Sequence, residues 1–365
     1  MRLSTGSRLL VLLASWLFVA FPTRALDLQL RGFADLIGTQ TNSRLALSTI
    51  NNGAHLTLDS ETRIGLNLSS DLGNNLSFAG QLLAQGNDSG QYSLNALWIF
   101  ANYKPIEGLT LRFGRQINPI FLYSEQFDVG FTYIWTRLPA VVYGILPVNA
   151  FSGLSVIYSY FINRLQLRTQ IYGGAGDTDV ETATASIKSS ANDLMGFETT
   201  LSADHFKVRL GYTSYHPSGK MTLISGGAPI PLTFGHYKMA SAGVQFDYSK
   251  FLISTEYAHS ESESPLIHTG AGGYASVAYR VLPRLTPYLT FGREGNLSGS
   301  LYQFPDSTVS TTQLIQEDNY IAGINFKLTP SAIVKLEYMR VENRYIDSSK
   351  NFGADVATGA LSVIF

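Results

Sequence analysis

Histidine, cysteine and serine are the side chains that most often bind metal ions or carry catalysis, and this sequence arranges none of them for either task. Its six histidines have no partner at metal-ligand spacing, and cysteine is absent. The HExxH, GxSxG and Walker A patterns of hydrolases and nucleotide-binding proteins are absent as well. The sequence therefore predicts that the protein is not an enzyme and uses no cofactor.

Charged side chains form the second pattern with chemical meaning, because cations recur at alternate positions of apolar segments. In residues 62–69 and 109–114, Ile, Leu and Phe occupy one set of alternate positions, while Arg63 and Arg112 lie in the other set. Alternate side chains of an extended chain point to opposite faces, so these cations would share a water-facing surface. The cations with this spacing are Arg31, Arg63, Arg112, Arg168, Lys207 and Arg209.

The elements that position these cations are predicted to be β-strands. Apolar residues alternate with polar or small ones in about sixteen segments of the chain after residue 25. A two-sheet sandwich with a polar outer face would alternate in the same way. Alternation alone therefore predicts an all-β fold without choosing between a sandwich and a barrel.

The lengths of the connections separate these two architectures. Short turns are predicted at 71–75, 104–108, 162–164, 203–205, 249–250, 282–284 and 329–331. Longer connections lie between them, at 41–56, 86–91, 115–152, 174–193, 214–235, 260–271, 293–317 and 341–353. Regular alternation of short and long connections is typical of transmembrane barrels, which have short periplasmic turns and long external loops. The pattern predicts an antiparallel transmembrane β-barrel of about sixteen strands.

Composition excludes several other classes of protein. Only 15% of the residues are charged, and no apolar segment after residue 25 is as long as a transmembrane helix, which needs about 20 residues. Without residues 1–25 the number of Lys and Arg falls from 26 to 23, against 27 Asp and Glu. This balance is too mild to imply nucleic acid as a partner. A soluble, secreted β-protein remains the alternative to a membrane-inserted one.

The first 25 residues predict a cleaved signal peptide. Arg2 and Arg8 precede an apolar run over residues 9–20, and Thr23 and Ala25 provide small side chains at a cleavage site. The run is shorter than the roughly 20 residues of a transmembrane anchor. We therefore predict that residues 26–365 form the mature chain, as a single barrel domain.

The chain ends on an apolar strand in which Leu361, Val363 and the terminal Phe365 share one face. This ending resembles the C-terminal signature of Gram-negative outer-membrane barrels, in which apolar residues alternate back from a terminal Phe. The resemblance implies that the three residues are a signal for the barrel assembly machinery. It also implies that the protein lies in outer-membrane lipid.

One predicted strand departs from the alternating pattern. In residues 92–103, Trp98 and Phe100 share one face while Leu97, Ile99 and Tyr103 share the other, so both faces are apolar. Two explanations remain open at this stage. Either an apolar loop covers the inner face, or a β-bulge changes the direction of the side chains.

The connection over residues 115–152 is the longest in the chain and is too apolar for a solvated external loop. Here the chain resembles the Gram-negative porin superfamily, whose third loop folds into the barrel. The resemblance covers the mature chain by strand and loop order, and its most suggestive stretches are GLTLRFGRQ (108–116) and LYSEQFDVGFTY (122–133). The PEFGG-type element of enterobacterial general diffusion porins is absent, so the chain looks more like the less characterised proteobacterial porins.

The resemblance implies a pore constriction in which acids of the third loop face basic residues of the barrel wall. Glu125 and Asp128 are the acids that it implies. The basic candidates are Arg31, Arg63, Arg112 and Arg115, of which Arg115 lies where the strand becomes the loop. Arg168, Lys207 and Arg209 are expected to face the lumen. Homotrimers are usual in the superfamily, although no residue here requires one.

These observations predict an outer-membrane porin through which ions and small hydrophilic solutes diffuse passively. The basic series favours a channel selective for anions such as phosphate as an alternative. A barrel that displays external loops as an outer-membrane enzyme or adhesin is a further alternative, and it predicts an occluded lumen without conductance.

Overall fold

The computed structural model describes residues 27–42, 56–58, 61–86, 92–181, 185–223, 228–233, 235–263, 269–298, 314–345 and 347–365. The predicted signal peptide, residues 1–25, lies outside this part of the chain. Within the described residues, no helix is both long enough and apolar enough to cross a membrane.

The described residues form seventeen β-strands. Their bounds are β1 (Asp27–Thr41), β2 (Arg63–Gly73), β3 (Leu76–Gly86), β4 (Tyr92–Ile106), β5 (Leu109–Ile117), β6 (Ala150–Ile162), β7 (Leu165–Glu181), β8 (Ala185–Ser202), β9 (Phe206–Leu223), β10 (Ile230–Thr233), β11 (Tyr237–Tyr248), β12 (Phe251–Ser262), β13 (Thr269–Tyr279), β14 (Leu285–Ser298), β15 (Leu314–Thr329), β16 (Ala332–Tyr345) and β17 (Phe352–Ile364).

Sixteen of these strands close into an antiparallel barrel, which confirms the predicted fold class. Each strand pairs with its neighbours along the chain, and β1 pairs with both β2 and β17. The remaining strand, β10, is four residues long. Within the described residues it pairs with the C-terminal part of β9, at residues 218–221. Because β1 and β17 pair, the barrel leaves no edge strand open.

Side chains alternate between the two faces of the wall. Leu66, Leu111 and Leu336 point outward and are 39%, 39% and 60% exposed, as expected for a face that lipid covers. Neighbouring inward residues are polar, and Arg63 and Lys335 are buried inside the barrel. The predicted assignment of apolar residues to the outer face therefore agrees with the wall at these positions.

Strand β4 contains a β-bulge, which is one of the two explanations left open by the sequence. Gln81 pairs with Trp98, but the next residue, Leu82, pairs with Ala96, so Leu97 is an extra residue in β4. Leu94 and Ile99 consequently share the outer face despite their odd separation, and they are 69% and 47% exposed. Trp98 and Phe100 lie on the inner face. The bulge lies before these two residues, so both faces of β4 are apolar after it.

Two of the predicted long connections are wrong in their bounds. The sequence predicts loops at 174–193 and 214–235, but strands β7, β8 and β9 continue through much of both ranges. Ser190 pairs with Asp177 and with Ser218, for example, so the hairpins continue as paired strands. Their Gly, Ser and Asp residues are typical of loops, but pairing with the neighbouring strand overrides that local preference.

The segment between β5 and β6, residues 118–149, lies inside the barrel and is called the inner loop. It contains 3-10 turns at Ser124–Gln126 and Gly130–Thr132 and a short α-helix at Ala140–Tyr143. A further 3-10 turn, Ser348–Lys350, lies between β16 and β17. Apolar residues of the inner loop form one buried cluster with inward residues of strands from β6 to β17. The loop thus gives the barrel an apolar core on one side.

The last residue contributes to barrel closure. The backbone N–H of Phe365 donates to the carbonyl of Gly32 at 2.9 Å, and the N–H of Gly32 donates to the carbonyl of Phe365 at 2.7 Å. The ring of Phe365 covers the space that a side chain at position 32 would fill. Leu361 and Val363 lie on the same outer face of β17, opposite Leu36 and Ala34 of β1.

We expect Leu111→Arg to reduce assembly of the barrel, because a cation on the lipid face costs about 2–4 kcal/mol near the bilayer midplane. Thr110→Arg is the matched control, since the adjacent side chain points into the lumen. The measurement is the amount of heat-modifiable, folded protein in the outer-membrane fraction. Equal yields from the two variants would mean that the faces are assigned the wrong way round.

We expect deletion of Phe365 to slow insertion, because it removes two backbone hydrogen bonds and one apolar ring from the seam between β1 and β17. Phe365→Tyr keeps all of these groups and is the control. Insertion is followed by the rate at which the purified chain becomes heat-modifiable in lipid vesicles. Wild-type rates for the deletion variant would argue against an assembly role for this residue.

Candidate functional site

Lys335 is the most enclosed anchor of the inner loop. Its side chain lies on the inner face of β16 and is fully buried. The ammonium group donates hydrogen bonds to the backbone carbonyls of Gly130, Tyr133 and Trp135, with Nζ–O distances of 2.6, 2.8 and 2.5 Å. Because the inner loop has little regular structure, this cation satisfies carbonyls that would otherwise be buried without a donor.

Two buried carboxylates of the wall accept hydrogen bonds from N–H and hydroxyl groups of the inner loop. Glu256 of β12 accepts hydrogen bonds from the backbone N–H of Leu122 at 2.6 Å and from the hydroxyl of Tyr143 at 2.7 Å. Glu337 of β16 accepts from the N–H and the hydroxyl of Thr136, at 3.1 and 2.7 Å. The wall therefore supplies both donors and acceptors to the loop, and the loop is fixed in position from several strands.

Glu125 is the loop acid nearest to a group of wall cations. Its carboxylate accepts a hydrogen bond from Arg209 of β9, with an Nη1–Oε2 distance of 2.8 Å, and its side chain remains 42% exposed. Partial burial acts to raise the pKa of Glu125, but the charge of Arg209 outweighs this effect and lowers the pKa to about 2. The carboxylate is therefore ionised at neutral pH.

Asp128 is held in a separate charged cluster at β1 and β2. Arg63 lies 3.6 Å from Asp128 and 2.9 Å from Asp35, measured between guanidinium nitrogen and carboxylate oxygen. Asp35 also accepts a hydrogen bond from the N–H of Gly130 at 3.1 Å. Burial raises the pKa of Asp128 more than the charge of Arg63 lowers it. Both acids implied by the resemblance thus contact the wall directly.

Arg112 has a different environment from the paired arginines. Its Nε donates to the side chain of Asn102 at 2.8 Å, and its guanidinium lies over the ring of Phe100 at 3.9 Å from the centroid. The ring of Phe100 stacks on that of Trp98, with centroids 5.1 Å apart. Within the described residues, Arg112 makes no ion pair, so it adds an unbalanced positive charge to the lumen.

Arg168 and Lys207 also face the lumen, as expected. Arg168 of β7 pairs with the fully buried Glu198 of β8 at 2.6 Å, and Arg209 lies 3.3 Å from the same carboxylate. Lys207 of β9 donates to the backbone carbonyl of Leu122 at 2.9 Å. These cations are therefore occupied with a wall carboxylate or with the backbone of the inner loop.

Two of the predicted constriction residues, Arg31 and Arg115, make no ion pair with Glu125 or Asp128 within the described residues. Arg31 lies on the inner face but is exposed and four residues from Asp35, or about 13 Å along the strand. Arg115 pairs in register with Ile99 and Ser152, so it lies on the outer face, and the prediction that it lines a constriction is wrong. Its Nε donates to the carbonyl of Leu97, the bulged residue, at 3.1 Å.

Alternation alone does not identify the residues that anchor the inner loop. It places Lys335 and Glu337 on the inner face, but it carries no sign that a loop 200 residues away in sequence would bury them. Glu198 and Glu256 likewise look like ordinary lumen residues. A signal is present in the loop itself, whose apolar residues predict burial against some inner surface of the barrel.

A family model described as "Gram-negative porin" matches residues 10–345. The chain belongs to the Gram-negative porin family. This porin is therefore a channel protein of the outer membrane. A search of curated proteins found no match.

Solved structures of outer-membrane proteins share the fold of this porin. The outer membrane channel DcaP of Acinetobacter baumannii is 12% identical, with a TM-score of 0.59 over 95% of this chain and 99% of that one. OmpT of Vibrio cholerae, in its trimer form, is 14% identical, with a TM-score of 0.57 over 94% and 100%. The anion-selective porin from Comamonas acidovorans is 11% identical, with a TM-score of 0.56 over 93% and 100%.

We expect Lys335→Met to loosen the inner loop of this porin, because three buried carbonyls lose a donor at a cost of roughly 1–3 kcal/mol each. Lys327→Met, at an exposed position of β15, is the matched control. The measurement is trypsin cleavage of the folded barrel after Arg137, a largely buried loop residue that pairs with Glu61. Equal resistance of the two variants would show that Lys335 does not hold the loop.

Proposed function

We propose that this porin is a passive diffusion channel for ions and small hydrophilic solutes. The observation that carries the proposal is that the inner loop covers only part of the inner wall. Inward residues from β8 to β17 such as Glu198, Glu256 and Lys335 are buried beneath the loop or beside it. On the inner face of β2–β5, Arg63, Gln81 and Gln116 are buried, but nine other residues remain half-exposed, namely Asn67, Ser69, Ser77, Ala79, Trp98, Phe100, Asn102, Thr110 and Arg112. A water-filled passage along β2–β5 would account for this difference.

Several features belong to the same proposal. Residues 1–25 act as a cleaved signal peptide, and residues 26–365 form the barrel domain, with 115–152 as the segment that narrows the lumen. Leu361, Val363 and Phe365 are read by the barrel assembly machinery, and the outer face contacts outer-membrane lipid. The porin forms a homotrimer, and the trimer form of OmpT, which shares the fold, supports this state. It works without enzymatic activity or a cofactor.

A preference for anions is the second candidate function, and Arg112 favours it. Glu125 pairs with Arg209, Asp128 pairs with Arg63, and Arg168 pairs with Glu198. Arg112 is partly exposed and has no carboxylate partner among the described residues, so its charge acts on ions in the passage. The porin from Comamonas acidovorans, which shares the fold, is itself anion-selective.

Single-channel conductance of the refolded mature chain in a planar bilayer tests both candidates. Discrete conductance steps are expected for a diffusion channel, and a salt gradient applied after insertion gives the ion selectivity. A reversal potential of the sign for cations would exclude the anion preference. A folded, membrane-inserted barrel without conductance would contradict the diffusion channel, and it would favour display of external loops as an adhesin or enzyme.

We expect Arg112→Glu to shift selectivity toward cations. The change replaces an unbalanced positive charge by a negative one, and about 1 kcal/mol in a wet passage corresponds to a roughly fivefold change in relative permeability. Arg164→Glu makes the same change in charge at a periplasmic turn, where the side chain is 86% exposed, and is the control. Unchanged reversal potentials in both variants would remove Arg112 from the ion pathway.

A further inference from the structure

We propose that Trp98, Phe100 and Arg112 form a binding site for aromatic carboxylates on the wall of the channel. The proposal rests on the proposed function, because the ligand reaches these residues only through the lumen. It names a class of solute that a passive channel would retain for longer than an inorganic ion of the same charge. Nothing in the shared fold requires such a site, since it arises from three side chains.

Trp98 and Phe100 are accessible, unlike the aromatic residues of the apolar core between the inner loop and the wall. The rings of Tyr133, Trp135 and Tyr274 are buried in that core. Trp98 and Phe100 are only half-buried, and within the described residues their ring partners are each other and Arg112. When a flat apolar ring replaces water on an exposed aromatic surface, both apolar surfaces are removed from water, and this is favourable.

Two polar groups of the site have unused hydrogen-bonding capacity. Arg112 uses Nε to bond Asn102, but within the described residues its two Nη groups donate no hydrogen bond. A guanidinium group with both Nη free matches the two oxygens of a carboxylate. The indole N–H of Trp98 also has no partner in the described part of the chain. In contrast, the indole N–H of the buried Trp135 donates to Thr290 at 2.8 Å.

The wall beside Phe100 carries no side chain at two neighbouring positions. Gly114 of β5 lies opposite Phe100 in register and has a φ of 129°, in the region that favours glycine. The space that a side chain at position 114 would need is filled by the backbone of Ile99 and Phe100. Gly153 of β6 lies opposite Gly114 and also carries no side chain. These two positions therefore place no side chain over the rings of Trp98 and Phe100.

The β4 bulge lies directly before the site and does not change the face of Trp98, Phe100 or Arg112. Without the extra residue at Leu97, the alternation of β4 would not place Trp98 and Leu94 on opposite faces. The carbonyl of Leu97 accepts from Arg115, which holds the bulge from the outer side. Phe100 lies between Trp98 and Arg112 along the wall, so the carboxylate of the ligand would bind Arg112 while its ring lies against the lumen-facing edges of Phe100 and Trp98. A small ligand of this kind is expected to bind in the millimolar range.

Sodium benzoate is the probe, and cyclohexanecarboxylate and acetate are the matched ligands without an aromatic face. In planar bilayers, benzoate is expected to reduce or interrupt the current through the wild-type channel, at concentrations about tenfold lower than cyclohexanecarboxylate requires. Trp98→Leu and Arg112→Gln are each expected to weaken the benzoate effect by about tenfold. Phe113→Leu, which removes a ring from the outer face, is the control. Equal effects of the three anions would overturn the proposal.

Tryptophan fluorescence of the refolded barrel gives a second readout that does not need conductance. The mature chain contains only two tryptophans, Trp98 and the buried Trp135. Benzoate is expected to change the emission of the wild type and of Phe113→Leu but not of Trp98→Leu, and acetate should leave all three unchanged. Conductance steps without a benzoate effect in either assay would overturn the site and leave the diffusion channel standing. A benzoate-dependent change in emission without conductance would support the site and contradict the channel.

Discussion

The fold depends on one constraint, which is that every backbone group in the hydrocarbon region must find its hydrogen-bond partner within the chain. Closure of β1 on β17 meets this constraint, since both edges of the sheet would otherwise face lipid. The alternation of side chains follows from the same geometry, because one face of each strand meets lipid and the other meets water or the inner loop. The terminal Phe365 takes part through two backbone hydrogen bonds to Gly32.

The inner loop faces the same constraint without a neighbouring strand to pair with. Its backbone groups are buried inside the barrel, and wall side chains take the place of a partner strand. Lys335 donates to three carbonyls, while Glu256 and Glu337 accept from N–H and hydroxyl groups. These charges hold the inner loop in position, whereas Arg112 makes no ion pair within the described residues.

Sequence reasoning predicts the periodic part of this structure and misses the part that depends on distant contacts. The faces of Leu66, Leu111 and Arg63 follow from alternation, which is a local property of each strand. Alternation with Leu111 also places Arg115 on the outer face, but its position where the strand becomes the loop leaves its direction open until the register with β4 and β6 fixes it. The pairing of Glu125 with Arg209 cannot be read from either segment, because 84 residues separate them and only closure of the barrel brings them together. The same is true of Lys335 and the carbonyls of the inner loop.

The bulge at Leu97 also has a consequence for how this strand can change in evolution. In a strand that spans a membrane, odd and even positions face different sides of the wall, lipid on one side and the lumen on the other. We call this alternation the parity of the strand, and an inserted or deleted residue inverts it for the rest of the span. In β4 the parity already inverts at Leu97, and Arg115 holds the carbonyl at the inversion point. Loss of this one residue would restore a regular ladder and turn the residues from Tyr92 to Ala96 inside out. A change in the number of residues at this position therefore changes which side chains of β4 face lipid and which face the lumen.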